Sequence, residues 1–445
     1  RQLQSYLDRQ SRIGNVLILG AAVHMQRASS VTLTQEKEPE KLRSIIKTAH
    51  IDSILFMEGW TETMKQIADI PLRYLIGQTG EEEDYFGLWE RYRMQAEHIY
   101  ILRNRTGRLM RDMDRYEILE WERTDAPLEL SIIIPVYNVC EYLAQCLESL
   151  TEWKAPYVEY LFVDDGSTDG SAKLLEDYAA KDGRIRHLRK KNGGCASARN
   201  LGLREAKGRY IGFVDGDDFT APEMFKKLLK RALMGGYELA YCGYQEYDEA
   251  TKSAREVRND CMAQPYLSGT YRADQVQKLM IKTRVAIWRC IYKKELLERE
   301  KIAFHESLPR FDDLPFKIES GFHAKSAVCV PEYLYYYRMG RQGQDVSCTD
   351  ERLFVHFEIF HILDEWVTAM KDRRLLDYLQ VIKLHTHGYA LGKIDRKYYR
   401  KYLKKAGTQM DVTAKTMRTL VLMFFYGGKS NLWWYLKSRK VWLNG

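Results

Sequence analysis

Paired cysteines are missing from this 445-residue chain: its eight cysteines stand singly, with no Cys-x-x-Cys pair and no regular spacing. A disulfide framework is excluded on that pattern, and the thiols read as those of a reduced, cytosolic protein. Long apolar runs are missing too. The longest, Leu420 to Tyr426, is far below the roughly 18 to 20 residues that cross a bilayer, so no transmembrane helix is expected. No signal peptide is found, and the first residue is Arg rather than Met. The expectation is an excerpt from a longer protein, for which a missing targeting segment says little about location.

Acidic residues are scarce at one end only. From Lys371 to Gly445 seventeen Lys or Arg face four Asp or Glu, whereas the whole chain holds 69 against 61. The first 370 residues therefore carry 52 basic and 57 acidic side chains and are net acidic by five. A basic tail attracts phosphates, nucleic acid or anionic lipid through its summed potential, and the same residues would also suit a solvated helical face. An apolar fraction of 45% and thirty tyrosines can bury a real core, which excludes a disordered chain. At this length about three modules are expected.

Residues 1–104 alternate short apolar runs with helix-like stretches: Val16 to Leu19, Val31 to Thr34, Ser53 to Met57, Arg73 to Ile76 and Ile99 to Leu102. That alternation predicts a small α/β, Rossmann-like domain with a parallel sheet. Leu19-Gly20-Ala21-Ala22 lacks the Gly-x-Gly-x-x-Gly loop that cradles a dinucleotide, so a structural or partner-binding role is expected. Residues 105–127 are expected to connect the domains, helical from Arg105 to Arg123 and ending in the linker Thr124-Asp125-Ala126-Pro127.

A second α/β domain is expected over 128–348. Leu130 to Pro135 is a continuous apolar run that suits a strand buried on both faces, and Val139, Leu143, Cys146, Leu147 and Leu150 follow at helical spacing. Strands at Tyr160 to Val163, Arg184 to Leu188 and Tyr210 to Val214 then alternate with helices at Ala172 to Ala179 and Ala196 to Ala206. This is the pattern of a doubly wound nucleotide-binding half. Residues 349–445 read as a helical region whose apolar stripe is Leu353, Phe357, Phe360, Ile362 and Trp366. Its end sets Phe424, Phe425, Tyr426, Trp433, Trp434, Tyr435 and Trp442 among Lys429, Lys437, Arg439 and Lys440. That composition suits an interfacial amphipathic helix or one packed on its own domain.

In open α/β sheets ligands bind beyond the carboxyl ends of the strands, and here four successive strand ends carry polar groups. They are Tyr137 and Asn138, then Asp164 and Asp165, then Lys191 to Gly194, then Asp215 to Asp218. Asp215 and Asp217 are two apart and point to one side of an extended chain. Such oxygen ligands suit Mg or Mn, which keeps substrate phosphates in its shell and would offset charge on a departing diphosphate. Gly216 would let backbone approach a ligand. Asp164 or Asp165 would accept hydrogen bonds from a base or a ribose, although Asp-Gly-Ser-Thr-Asp-Gly is also turn chemistry. Asn192-Gly193-Gly194 would lie against the nucleotide, with Arg199 holding the loops through charge-assisted bonds.

Four ordered segments carry a resemblance: Ser131-Ile132-Ile133-Ile134-Pro135-Val136-Tyr137-Asn138, Val163-Asp164-Asp165-Gly166-Ser167-Thr168-Asp169, Asn192-Gly193-Gly194 through Ala198-Arg199-Asn200-Leu201-Gly202, and Phe213-Val214-Asp215-Gly216-Asp217-Asp218. They resemble the family-2 inverting glycosyltransferases of GT-A fold, over about Leu130 to Tyr337. The resemblance implies a nucleotide-sugar donor, most often a UDP-sugar. Its binding residues would be Pro135, Tyr137, Asn138, Asp164, Asp165, Asn192, Gly193, Gly194, Arg199, Asp215 and Gly216, with a divalent metal, Mn or Mg, on Asp217 and Asp215.

It also nominates a base. The family places an acidic pair before Leu-Pro-Phe, here Asp312-Asp313-Leu314-Pro315-Phe316, so Asp313 matches the base and Asp312 a supporting position where Glu is frequent. A neighbouring carboxylate can move such a pKa toward a useful range. The competing reading is a helix cap, because Pro315 fits a first helical turn. Ala286 to Lys293 resembles a family segment that usually has Asn-Lys in place of Arg289-Cys290, and Trp288 would line the acceptor side. Tyr335-Tyr336-Tyr337-Arg338, with Arg341, Gln344 and Ser347, resembles the loop that closes over the diphosphate.

The resemblance implies a hydroxyl acceptor on a glycan, lipid-linked glycan or protein, in bacterial capsule, cell-wall or glycoprotein glycan assembly, with no nucleic acid partner. The basic, aromatic tail suits a peripheral site at the cytoplasmic face of a membrane. Two other classes compete. A sugar-nucleotide nucleotidyltransferase would carry a glycine- and basic-rich loop after the first strand, which Val136-Tyr137-Asn138-Val139 lacks. A non-catalytic binding module has no need of the intact acidic positions.

Overall fold

Runs of Val, Ile and Leu bury both of their faces and make the strands of two separate sheets. The computed structural model describes residues 13–19, 28–56, 59–79, 82–104, 116–122, 128–258, 270–340, 347–411, 417–426 and 429–443. Two compact units divide the chain, residues 1–127 with 230–237, and residues 128–229 with 238–445.

The first unit holds β1 (Ile13–Leu19), β2 (Ala28–Thr34), β3 (Ser53–Phe56), β4 (Leu72–Thr79), β5 (Ala96–Asn104) and β6 (Tyr116–Glu122), with helices α1 (Pro39–Thr48), α2 (Thr61–Gln66) and α3 (Glu82–Tyr92). The sheet order is β2-β1-β3-β4-β5-β6. All pairs from β2 to β5 are parallel, as the alternation predicted. The expected helical connector is corrected in its second half: Tyr116–Glu122 is a strand, antiparallel to β5 from Asn104↔Tyr116 to His98↔Glu122. Backbone pairing along the open edge of β5 outweighs the charge pattern that suggested a helix, and Ile, Trp and Tyr favour the extended form. Residues 105–115 of that connector, and the linker 124–127, lie outside the described residues.

The second unit begins with four parallel strands, β7 (Leu130–Val136), β8 (Val158–Asp164), β9 (Ile185–Arg189) and β10 (Tyr210–Phe213), alternating with α4 (Cys140–Thr151), α5 (Ser171–Ala179) and α6 (Cys195–Glu205). It continues with β11 (Phe219–Thr220), β12 (Leu239–Asp248), β13 (Ser253–Glu256), β14 (Thr270–Arg272), β15 (Cys290–Lys293) and β16 (Ser326–Met339). Its sheet runs β11-β16-β12-β15-β10-β7-β8-β9, with β13 on β12 and β14 on β16. From β7 the chain steps outward through β8 to β9 and then returns to the other side of β7 as β10. That reversal makes a switch point between β7 and β10, where an open α/β sheet has its ligand crevice.

Sequence explains how closely this half packs. Ile132, Ile133 and Ile134 of β7 are wholly buried. A Cβ on Gly202 of α6 would lie 2.4 Å from Ile133 Cγ2, so a glycine is what lets that helix rest on the strand. After β16 come α7 to α12, except that α7 (Asp313–His323) precedes the strand; the others are α8 (Val355–Ala369), α9 (Arg373–Lys393), α10 (Arg396–Asp411), α11 (Met417–Tyr426) and α12 (Lys429–Leu443). In α8 the buried stripe is Phe357, Phe360, Leu363 and Val367, whereas Ile362 and Trp366 of the expected stripe are half-buried. Trp366 packs beside Phe322 and His323 of α7 instead. Among the described residues no helix is long and apolar enough to cross a membrane.

Candidate active site

The loops beyond β7, β8 and β9 hold one another through their own polar side chains. Asn138, in the left-handed region at φ 51°, accepts from the Thr168 N–H through Oδ1 at 2.8 Å and donates its own N–H to Ser167 Oγ at 3.1 Å. Asp164 is buried and its Oδ1 accepts from the Ser167 N–H at 2.8 Å, which closes the Asp-Gly-Ser turn. Asp165 reaches the next loop. It accepts from the N–H groups of Gly193 at 2.9 Å and Gly194 at 2.7 Å, and from Lys190 Nζ at 2.6 Å. The acidic pair after β8 therefore fixes loop shape, and Asp165, not Asp164, lines the cavity beside Asn192 and Gly194.

Beyond β10 the same logic joins distant segments. Arg199 of α6 is buried and forks: Nη2 donates to Asp215 Oδ1 at 2.7 Å and Nη1 to Asp312 Oδ2 at 2.9 Å. One guanidinium thus ties the loop after β10 to the acidic pair before α7, with its plane near the Phe304 ring. Asp312 is at the N-cap position of α7 but makes no side-chain cap bond, and Asp313 is the helix's first residue. Its carboxylate goes to Arg199, which argues against the capping role. Burial, then repulsion from Asp312 and Asp215 with Arg199 opposing, pushes the Asp313 carboxyl up to about 7. Phe311, just before the pair, sits at φ 55°. A bulky residue in the left-handed region costs about 1–3 kcal/mol, and such strain gathers where a site needs a fixed geometry.

Asp217 and Asp218 are both buried. Asp218 accepts from Tyr335 Oη at 2.7 Å and from the Arg338 N–H at 2.8 Å, so its work is to anchor β16. Burial and the charges of Asp217 and Asp215 hold its carboxyl well above the usual range. That crowding of negative charge is what a cation would relieve. Among the described residues no group of three or more His, Cys, Asp or Glu could hold a metal by itself. Two carboxylates fit a hard ion such as Mg or Mn that completes its shell with substrate phosphates and water. Gly216 serves the backbone: a Cβ there would stand 3.0 Å from the Pro135 carbonyl oxygen, so this loop lies against the end of β7.

A cavity of about 1340 Å³ opens over these groups. Pro135, Tyr137, Asp215, Gly216, Asp217, Asp312 and Asp313 line one part of it, with Tyr137 half exposed. Trp288 lines it too, stacked on Tyr335 at 4.1 Å and near-parallel to Tyr337 at 5.4 Å, as expected for the acceptor side. Arg338 corrects an expectation. It is buried, donating Nε to the Asp217 carbonyl at 2.6 Å and Nη2 to Gln145 at 2.7 Å, paired with Glu249 and set over the Tyr142 ring, and it does not line the cavity. Arg341 and Gln344 lie outside the described residues. Sequence reasoning missed Lys282, Tyr389 and Lys393 on the cavity wall, and took Phe425 and Tyr426 for tail residues only. Their one signal was aromatic residues interleaved with cations.

Residues 131–299 match the family Glycosyl transferase family 2. This chain carries a family 2 glycosyltransferase domain of GT-A fold. It is 36% identical over 211 residues to the uncharacterized glycosyltransferase EpsJ of Bacillus subtilis (strain 168), covering 47% of this chain and 60% of EpsJ. It is 28% identical over 227 residues to the uncharacterized glycosyltransferase YibD of Escherichia coli (strain K12), covering 48% and 65%. This chain thus spans under two thirds of the length of either relative. The fold is similar to S. aureus TarS, with a TM-score of 0.53 at 18% identity over 70% of this chain and 55% of TarS. TarS 1–349 in complex with UDP-GlcNAc gives a TM-score of 0.52 at 19% identity, over 72% and 92%. The family match to the glycosyltransferase domain ends at residue 299, so Asp312 and Asp313 fall beyond it and their part rests on the geometry.

Proposed function

We propose that the glycosyltransferase domain transfers a sugar from a nucleotide sugar, a UDP-sugar, to an acceptor hydroxyl with inversion. The observation that carries this reading is Asp313, a carboxyl with a proton affinity near neutrality, sharing one cavity with Asp215 and Asp217 and tied to Asp215 through Asp312 and Arg199. The Asp313 carboxylate takes the proton of the acceptor hydroxyl as its oxygen bonds to the anomeric carbon. The bond from that carbon to the diphosphate oxygen breaks, and its electron pair leaves with UDP. A single in-line displacement inverts the centre.

The remaining residues hold the participants. Asp165 sets the Asn192-Gly193-Gly194 loop against which the nucleotide lies, and Tyr137 offers an exposed ring on the opposite loop. Asp217 with Asp215 would hold a Mn or Mg ion, whose charge offsets that of the leaving diphosphate. TarS 1–349 in complex with UDP-GlcNAc supports the choice of a UDP-sugar. The acceptor is a hydroxyl of a glycan, a lipid-linked glycan or a protein, and glycan assembly at the cytoplasmic side of a membrane is the setting. A thermal-shift and hydrolysis screen of nucleotide sugars with Mn tests this. A UDP-sugar should stabilise the protein and be slowly hydrolysed. Failure of every UDP-sugar to do either would sink the reading, and pyrophosphate release from UTP and a sugar phosphate would replace it with a nucleotidyltransferase.

A further inference from the structure

Helix α11 has two dissimilar faces. Thr419 and Met423 are buried, with the Thr419 hydroxyl donating to Asp377 of α9. The other face carries Leu420, Val421, Phe424 and Phe425, spaced i, i+1, i+4, i+5, all exposed, with Phe424 at 69% and Phe425 at 72%. Four large apolar side chains on one helix face are more than a folded surface needs, and a contiguous patch of that kind marks an interface. Trp433 and Leu436 of α12 are exposed as well, whereas Trp434 and Tyr435 are core residues.

Charge decides what the face meets. Lys282 Nζ lies 5.1 Å from the Tyr426 ring, Lys278 Nζ 5.5 Å from it, and Lys437 Nζ 5.0 Å from the Trp433 ring. The segment Lys371 to Gly445 as a whole holds seventeen basic against four acidic residues. An apolar face rimmed by aromatics and lysines is complementary to an anionic lipid surface, and a second copy of so basic a segment would repel it. Ten helical residues rise about 15 Å, half a bilayer core, so the helix would lie in the interface. The face also runs into the active site, because Phe425 and Tyr426 line the cavity that contains Asp313.

We propose that α11 docks on an anionic bilayer and that the acceptor passes from that bilayer along Phe425 and Tyr426 to Asp313. The acceptor is then an amphiphile that carries its hydroxyl on a phosphate-bearing headgroup, met by Lys282 and Lys393 of the cavity wall. The acceptor half rests on the transfer reaction proposed above; the docking half does not.

Flotation of the full chain with vesicles of phosphatidylglycerol and phosphatidylcholine, against phosphatidylcholine alone, tests the docking. Leu420→Ser/Phe424→Ser alters two exposed side chains outside the cavity. The unaltered protein should float with anionic vesicles, and the variant should lose at least about tenfold of that partition with UDP-sugar hydrolysis unchanged. Equal flotation of both proteins, or none by the unaltered one, overturns the docking face. So does a dimer in sedimentation equilibrium that the variant dissolves, which would give the face to a second copy. If no UDP-sugar is hydrolysed while flotation behaves as expected, the reaction fails and the docking stands. Decyl phosphate below its micellar concentration should raise the melting temperature where decanol and inorganic phosphate do not; equal effects of the three remove the amphiphilic acceptor.

Discussion

Replacing Asp313 by Asn separates the two consequences of its environment. Its carboxyl is raised from 3.8 to about 7, chiefly by burial and by Asp312, so the folded chain keeps a proton that the unfolded chain loses. Below 3.8 both states are protonated and the group costs nothing. As pH rises from there, ionised Asp313 increasingly opposes folding, and the cost is complete above about 7. A shift of roughly three units at 1.36 kcal/mol each makes that cost about 4 kcal/mol. Asp313→Asn keeps the shape and removes the charge, so it should unfold with the same urea midpoint at pH 4 and be more stable at pH 8 by up to about 4 kcal/mol.

Catalysis should move the other way. Losing a general base lowers transfer by roughly 10²- to 10⁴-fold, while UDP still stabilises the variant in a thermal shift. In the unaltered enzyme log kcat/KM should climb with unit slope below about pH 7 and level off above it, because only the carboxylate can take the proton. Equal stability gains at pH 4 and pH 8 would show that the carboxyl is not strained. Near-normal transfer by a folded, UDP-binding Asp313→Asn would assign the base elsewhere.

Three other substitutions probe the frame. Asp217→Asn should cost at least about 100-fold in Mn-dependent UDP-sugar hydrolysis without loss of secondary structure, and an unchanged Mn titration would remove Asp217 from the metal. Arg199→Ala leaves Asp312 and Asp215 buried without their shared cation and should destabilise by about 3–5 kcal/mol in urea unfolding, with Arg199→Lys recovering only part because one ammonium cannot fork to both carboxylates. Gly202→Ala puts a methyl 2.4 Å from Ile133 Cγ2 and should cost about 1–3 kcal/mol; an unaltered urea midpoint would mean that α6 does not lie so close on β7.

Where burial follows the local pattern, the fold was legible. Continuous apolar runs such as Leu130–Val136 are strands because parallel strands bury both faces, and the regular alternation made their order readable. The strand ends followed, since a doubly wound sheet puts its polar residues there. Local pattern fails where pairing partners are distant. Tyr116–Glu122 is a strand because β5 offers an edge, which its own charges do not reveal. Arg338 looked like an anion ligand because its run of tyrosines resembles a mobile loop, yet those tyrosines belong to β16 and carry it inward among Tyr142, Phe219 and Tyr247. Asp164 and Asp165 could not be told apart in sequence because their difference lies in which loop returns to meet them.

Arg199 shows most clearly why the site needs the whole fold. The carboxylates it bridges, Asp215 and Asp312, are nearly a hundred positions apart, and Asp312 lies outside the segment that marks the family. Because the guanidinium is divided between those two, it offsets only part of the repulsion and burial acting on Asp313. A cation placed directly on Asp313 would hold its carboxyl low and make it a weak base. Sharing Arg199 keeps the neighbouring acids ionised and ordered while Asp313 retains a proton affinity near neutrality. The same bridge fixes the base side of the cavity to the loop that carries Asp217, so proton removal and diphosphate departure are set in one frame by a residue that performs neither step.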